Sequence, residues 1–182
     1  MQLIKEKLLT IQLPYLDFSS LAFVKKNNVE VDDRSKSFDE QNRFFRSIGY
    51  TSENTIINQT FDLPDNFYSI AQSLFPNFSA SVIKQDPGQV LPIHTDTFFM
   101  VSEKYGVSKD ECIRVNIFLD DWQSGHYFEL DYQPILHWTK GQAVIIDKDI
   151  PHLSGNMGVV PKYTMQVTGI RNEFKRGPAC SG

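Results

Sequence analysis

His94, Thr95 and Asp96 set an imidazole and a carboxylate two positions apart, and His152 adds a second imidazole 58 residues later. In an extended strand, residues i and i+2 project from the same face. His94 and Asp96 can therefore converge on one point, and His152 can join them if a later strand returns beside the first. Two neutral imidazoles and one carboxylate suit a divalent transition metal. Gathered on one face of the ion, they leave the opposite face open to exogenous ligands. The plainer reading makes Pro92–Asp96 a surface turn with Asp96 as a cap, since a short H-x-D motif recurs by chance. His126 and His137 are rival imidazoles, but neither has a carboxylate at i+2. Core packing or supporting hydrogen bonds suit them better. Trp122 and Tyr127 suit either a pocket wall or the core.

The elements that must position these groups follow from periodicity and punctuation. Residues 7–14 mix apolar and polar residues and end at Pro14, which suggests a strand, and residues 17–25 suggest a short helix. Residues 26–36 are polar and charged and read as a loop. Ser37 and Glu40 fit a capping box. Phe38, Phe44, Phe45 and Ile48 can share one side of the helix that follows, stopped by Gly49. Residues 55–60 suggest a strand. Phe67, Ile70, Ala71, Leu74 and Phe75 follow helical spacing between Pro64 and Pro76.

From about residue 80 to 170 the texture becomes one of short extended runs separated by turns. Strands are expected at 80–85, within 91–99, and at 113–119, 125–130, 135–138, 143–147 and 162–170, with a polar mobile loop at 100–112. Ile113, Val115, Ile117 and Leu119 form one face of their strand, and Arg114, Asn116 and Phe118 the other. Lys162, Thr164, Gln166 and Thr168 likewise share a face opposite Tyr163, Met165 and Val167. That polar face turns either into a wet barrel interior or out to solvent. Arg114 and Asn116 can bind an anionic group, or Arg114 can serve as a structural ion-pair partner.

Helices first, then seven or eight short strands, point to an α+β, mainly β chain whose core is a jelly roll, with the N-terminal helices packed on one sheet. A jelly roll brings strands distant in sequence side by side, as His94, Asp96 and His152 require. The 182 residues, 41% hydrophobic with 14 Phe and 7 Tyr, suit one domain. A support region spans about 1–79, the β core about 80–170 and a tail 171–182. A net charge of −4 disfavours a nucleic-acid surface. Cys112 and Cys180 have neither zinc-site spacing nor the number for a disulfide framework. The charged start, Met1 to Lys7, does not suit a signal peptide, and no run approaches the ~20 apolar residues of a membrane span. A cytoplasmic protein without membrane contact is expected; nothing in the sequence specifies an oligomeric state.

His94-Thr95-Asp96, then Asp147 to His152, then Lys162-Tyr163-Thr164 resemble the Fe(II)/2-oxoglutarate-dependent oxygenases over roughly residues 80–170. The resemblance implies a double-stranded β-helix, with His94, Asp96 and His152 as the Fe(II) ligands. It also implies Lys162, ten residues past His152, as the partner of the 5-carboxylate of 2-oxoglutarate, assisted by Thr164. A lysine there is similar to the prolyl-4-hydroxylase branch. Arg114 and Asn116 become candidates for the co-substrate or for an anionic group of the substrate. In such enzymes 2-oxoglutarate takes two of the three open iron positions and O2 the third, and decarboxylation yields succinate, CO2 and the oxidant of the substrate. Related halogenases lack the carboxylate ligand, so Asp96 argues for hydroxylation. The substrate implied is a peptidyl or free amino acid, or a small metabolite. A cupin-like metalloenzyme without 2-oxoglutarate, or a jelly-roll binding module without iron, remain alternatives, and neither has a use for Lys162.

Overall fold

The computed structural model describes residues 6–27, 36–51, 53 and 55–176. Eleven strands form two antiparallel sheets among these residues. They are β1 (Leu8–Thr10), β2 (Val24–Asn27), β3 (Ile56–Thr60), β4 (Phe78–Gln85), β5 (Val90–His94), β6 (Cys112–Phe118), β7 (His126–Leu130), β8 (Gln133–Ile135), β9 (Gln142–Asp147), β10 (His152–Asn156) and β11 (Lys162–Ile170). The large sheet has the order β1-β9-β6-β11-β4-β3-β2, and the small sheet the order β5-β10-β7-β8. From β4 onward, successive strands alternate between the sheets except at the β7–β8 hairpin. Sequence-distant strands such as β4 and β11 therefore pair directly. This is the double-stranded β-helix, the jelly-roll variant expected above. β1, β2 and β3 extend its large sheet at both edges.

Helices α1 (Lys36–Ser47), α2 (Asp65–Leu74) and α3 (Phe99–Tyr105) complete the chain. Phe67, Ile70, Ala71 and Leu74 give α2 one apolar stripe. It packs with Val115, Ile117, Met165 and Val167 on the outer face of the large sheet. The odd-numbered face of β6 is thus buried under a helix, as its pattern predicts. The opposite faces of β6 and β11 turn inward, between the sheets. There Phe118, Phe128, Trp138, Val144 and Ile146 close one end of the interior, with Phe118 and Trp138 stacked at 4.1 Å.

Several expectations are corrected. Residues 17–25 hold a single 3-10 turn, Phe18–Ser20, followed by β2 rather than a helix. The Ser19 backbone N–H donates to Asp17 Oδ1, which favours that local turn. Residues 100–112 are not a loop: α3 and a 3-10 turn at Lys109–Glu111 occupy them. Val101 anchors α3 beside Phe98 and Cys112. Of the apolar side expected here, Phe45 is buried as expected, whereas Phe44 of α1 and Ile48 just past its end are exposed, and α1 buries Asn42 beside Phe45. The capping box of Ser37 with Glu40 and the place of Phe38 rest on the side chains of Ser37 and Phe38, which lie outside what is described, as do residues 28–35 and Cys180. No helix among the described residues is long and apolar enough to cross a membrane.

Candidate metal centre

β5 ends at His94 and β10 begins at His152, and the antiparallel register sets the two opposite each other. Their ring centroids lie 4.2 Å apart. Asp96 stands two residues beyond the end of β5, so the same-face rule for strands does not place it. Arg114 of β6 does, donating from Nη1 to Asp96 Oδ1 at 2.6 Å. One ligand atom from each of His94, Asp96 and His152 lies within 4.8 Å of the others. The three residues brought together are the three picked from spacing.

The hydrogen bonds prepare these groups as ligands. His94 Nδ1 lies 2.7 Å from the Pro92 carbonyl, and His152 Nδ1 lies 3.0 Å from the Ile150 carbonyl. A carbonyl only accepts, so each Nδ1 carries the proton and each Nε2 keeps its lone pair. Burial, with His152 nearby, pushes His94 down to about 3, and burial also lowers His152. Both rings are neutral at pH 7. Burial alone would raise the Asp96 carboxyl, but the charge and hydrogen bond of the Arg114 guanidinium lead the opposing effects and hold it below the usual carboxylate range. Asp96 Oδ2 and His152 Nε2 face each other at 3.8 Å, both buried and both without a hydrogen-bond partner. Buried polar atoms are rarely left so. Two N donors and one carboxylate O around a common point fit a divalent metal ion.

A small cavity runs inward from His152, lined by Ile83, Gln85, Leu91, Asn116, Phe128, Ser154, Thr164 and Gln166. Asn116 Nδ2 is buried and unpartnered. Thr164 is buried in the same wall. Lys162, 2% exposed, is not itself in the lining and lies behind Gln85 and Ser154, which are. It donates to Gln85 Oε1 at 3.2 Å, to the Tyr127 carbonyl at 2.7 Å and to Ser154 Oγ. The Phe128 and Trp138 rings stand 5.8 and 5.6 Å from its Nζ. Burial lowers its pKa to about 7, and no carboxylate among the described residues pairs with it. The polar face of β11 is therefore the interior one.

Arg114 is an ion-pair partner of Asp96 and does not line the cavity. His126 bonds the Val160 carbonyl at 3.2 Å, and exposed His137 packs on Trp122; neither joins the metal cluster. Tyr127 directs its hydroxyl to Glu129. Sequence reasoning missed Gln85, Ser154 and Phe98. Ser154 was legible in principle, two residues past His152 on the same strand face. Gln85 was signalled by a polar residue closing an apolar strand.

No protein-family profile and no curated protein matches the chain. Solved structures that match include a predicted oxalate decarboxylase of Thermotoga maritima, at 11% identity and TM-score 0.43, covering 63% of this chain and 81% of that one. KdgF from Halomonas sp. matches at 12% identity and TM-score 0.41, covering 62% and 76%. The cupin domain of Schizosaccharomyces pombe Cnp3 matches at 10% identity and TM-score 0.41, covering 63% and 61%.

Proposed function

We propose that this protein is a cytoplasmic Fe(II)- and 2-oxoglutarate-dependent dioxygenase that hydroxylates a peptidyl or free amino acid or a small metabolite. One observation carries the reading: a mainly apolar cavity with His152 of the metal cluster in its wall also has Gln85 and Ser154 there, and both accept hydrogen bonds from buried Lys162, which has no carboxylate partner among the described residues. His152 and Ser154 both line it, two residues apart on β10, or about 7 Å of strand rise. A short ligand with chelating oxygens at one end and a carboxylate at the other satisfies both ends, and 2-oxoglutarate is such a molecule.

His94, Asp96 and His152 would hold the ion by three positions on one face. Lys162 would meet the distal carboxylate with a charge-assisted bond, Ser154 giving up the ammonium it accepts from. Asn116 Nδ2 offers its unspent N–H to a ligand oxygen within the cavity. Leu91, Ile83 and Phe128 keep the chamber dry, which strengthens each of these contacts. An Fe(II) ion held by these residues would supply the redox chemistry for splitting O2, one oxygen atom going into succinate as 2-oxoglutarate loses CO2 and the other into a substrate C–H bond.

A second reading, a metalloenzyme that uses no 2-oxoglutarate, is favoured by the saturation of Lys162: three protein acceptors already take its three N–H bonds. Anaerobic titration with Fe(II) and 2-oxoglutarate separates the two. The dioxygenase gives a weak visible charge-transfer band that needs both additions and disappears in His94→Ala. Fe(II) binding without any such band leaves the second reading. Absence of metal binding removes both.

A further inference from the structure

Asp96 lies where no sheet hydrogen bond fixes it, in the segment 95–98 between β5 and α3. Its orientation comes from the facing sheet. Arg114 is anchored by Nε to Thr168 Oγ1 at 3.0 Å, and Thr168 is its register partner across β6 and β11. From that fixed base Nη1 reaches Asp96 Oδ1. Oδ2 alone is left over, opposite His152 Nε2. Phe98 closes the segment in the left-handed region, φ 52, which a non-glycine residue adopts only where its surroundings hold it. Here its ring is buried with Val101 and Cys112 and stands 5.8 Å from the Arg114 guanidinium carbon.

We propose that Arg114 is a positioning residue for the metal centre, seated by Thr168 and Phe98, that makes Asp96 a one-oxygen ligand. The inference rests on the reading of His94, Asp96 and His152 as ligands. A carboxylate with both oxygens free can grip one ion twice and close a coordination position. With Oδ1 engaged by a guanidinium, Asp96 contributes only Oδ2, and the three protein ligands leave three positions of an octahedron for exogenous groups.

Co(II) alone, titrated anaerobically, is the test, because its visible d–d bands report coordination number without turnover. Wild type should bind and His94→Ala should not. Arg114→Met should raise the Co(II) dissociation constant about 10- to 100-fold and change band position and intensity as Asp96 becomes bidentate. Arg114→Lys keeps the charge but lacks the planar fork, and should fall between. Superimposable titrations and spectra for wild type and Arg114→Met, with His94→Ala still silent, would overturn the positioning inference and leave the metal centre standing. A wild type that binds no Co(II) would instead remove the reading beneath it. Far-UV circular dichroism checks folding. If Arg114→Met does not fold, Thr168→Val removes only the Nε acceptor. It should weaken Co(II) several-fold with the same spectral change, and an unaltered titration there overturns the proposal.

Discussion

Lys162→Met should abolish a pH dependence of stability that wild type carries through mild alkali. In the folded protein burial holds Lys162 near 7, against 10.5 for a free lysine. Between those values the unfolded chain holds a proton that the folded chain has released. Stability therefore rises with pH across that window and is lowest below it. At 1.36 kcal/mol per pH unit, the protonated folded state carries a penalty on the order of 5 kcal/mol. The measurable part is a slope of about 1.4 kcal/mol per pH unit, or about 2 kcal/mol between about pH 7.5 and 9. Above that range Cys112, Tyr127 and Tyr163, whose folded values are raised, pull in the opposite direction. Urea unfolding at a series of pH values reads the slope directly. Met keeps an unbranched stem as far as Cε and lacks only the titrating nitrogen beyond it, so its curve should be flat in the same window. A dicarboxylate bound against Lys162 stabilises the ammonium, so saturating 2-oxoglutarate with a redox-inert divalent ion should flatten the wild-type curve as well. A flat apo wild-type curve, or a slope that Lys162→Met shares, would refute the buried-lysine argument. Stabilisation by 2-oxoglutarate with the slope intact would refute its place at Lys162.

Gly169→Ala should destabilise the fold by about 1–3 kcal/mol. Its new Cβ would stand 2.3 Å from the ring of Phe75 under the large sheet, and urea unfolding near neutral pH checks this. Asp147 holds both Lys7 and Arg171, tying β1 and the segment after β11 to β9. Partial burial works to raise its carboxyl, but those two cations outweigh it and hold it below the usual value. That contribution is present above the ordinary carboxylate range and is lost as pH falls through the depressed value. Since both cations are partly exposed, Asp147→Asn should cost about 1 kcal/mol or less and less still at high salt, as paired melts at low and high ionic strength will show.

The β6 and β11 faces were readable because side-chain alternation in a strand has period two and admits only two assignments. Ile113, Val115 and Ile117 had to meet apolar cover, so Arg114 and Asn116 had to take the other side. The α2 stripe from Phe67 to Leu74 was readable for the same kind of reason. Segments governed by local competition were less legible. Residues 17–25 have apolar residues enough for a helix, yet Asp17 captures the backbone into one 3-10 turn. Residues 99–105 expose Met100 beside Glu103 and Lys104, which blurs any amphipathic pattern, and the segment is held as α3 by Val101 buried beside Phe98 and Cys112.

The sequence by itself determined the donor set: which residues are imidazoles and carboxylates, their spacing, and the alternation that turns Lys162 and Thr164 the same way as Gln166. Only the tertiary structure decided what each donor faces. It set His94 opposite His152 through a pairing 58 residues apart. It placed Asp96 through Arg114 rather than through the strand rule, because β5 had already ended. It also gave Lys162 three neutral acceptors and, among the described residues, no carboxylate. Alternation is a local property of the backbone and is written in neighbouring residues. Register between distant strands, and the partner left over for a buried charge, depend on how all the strands close at once.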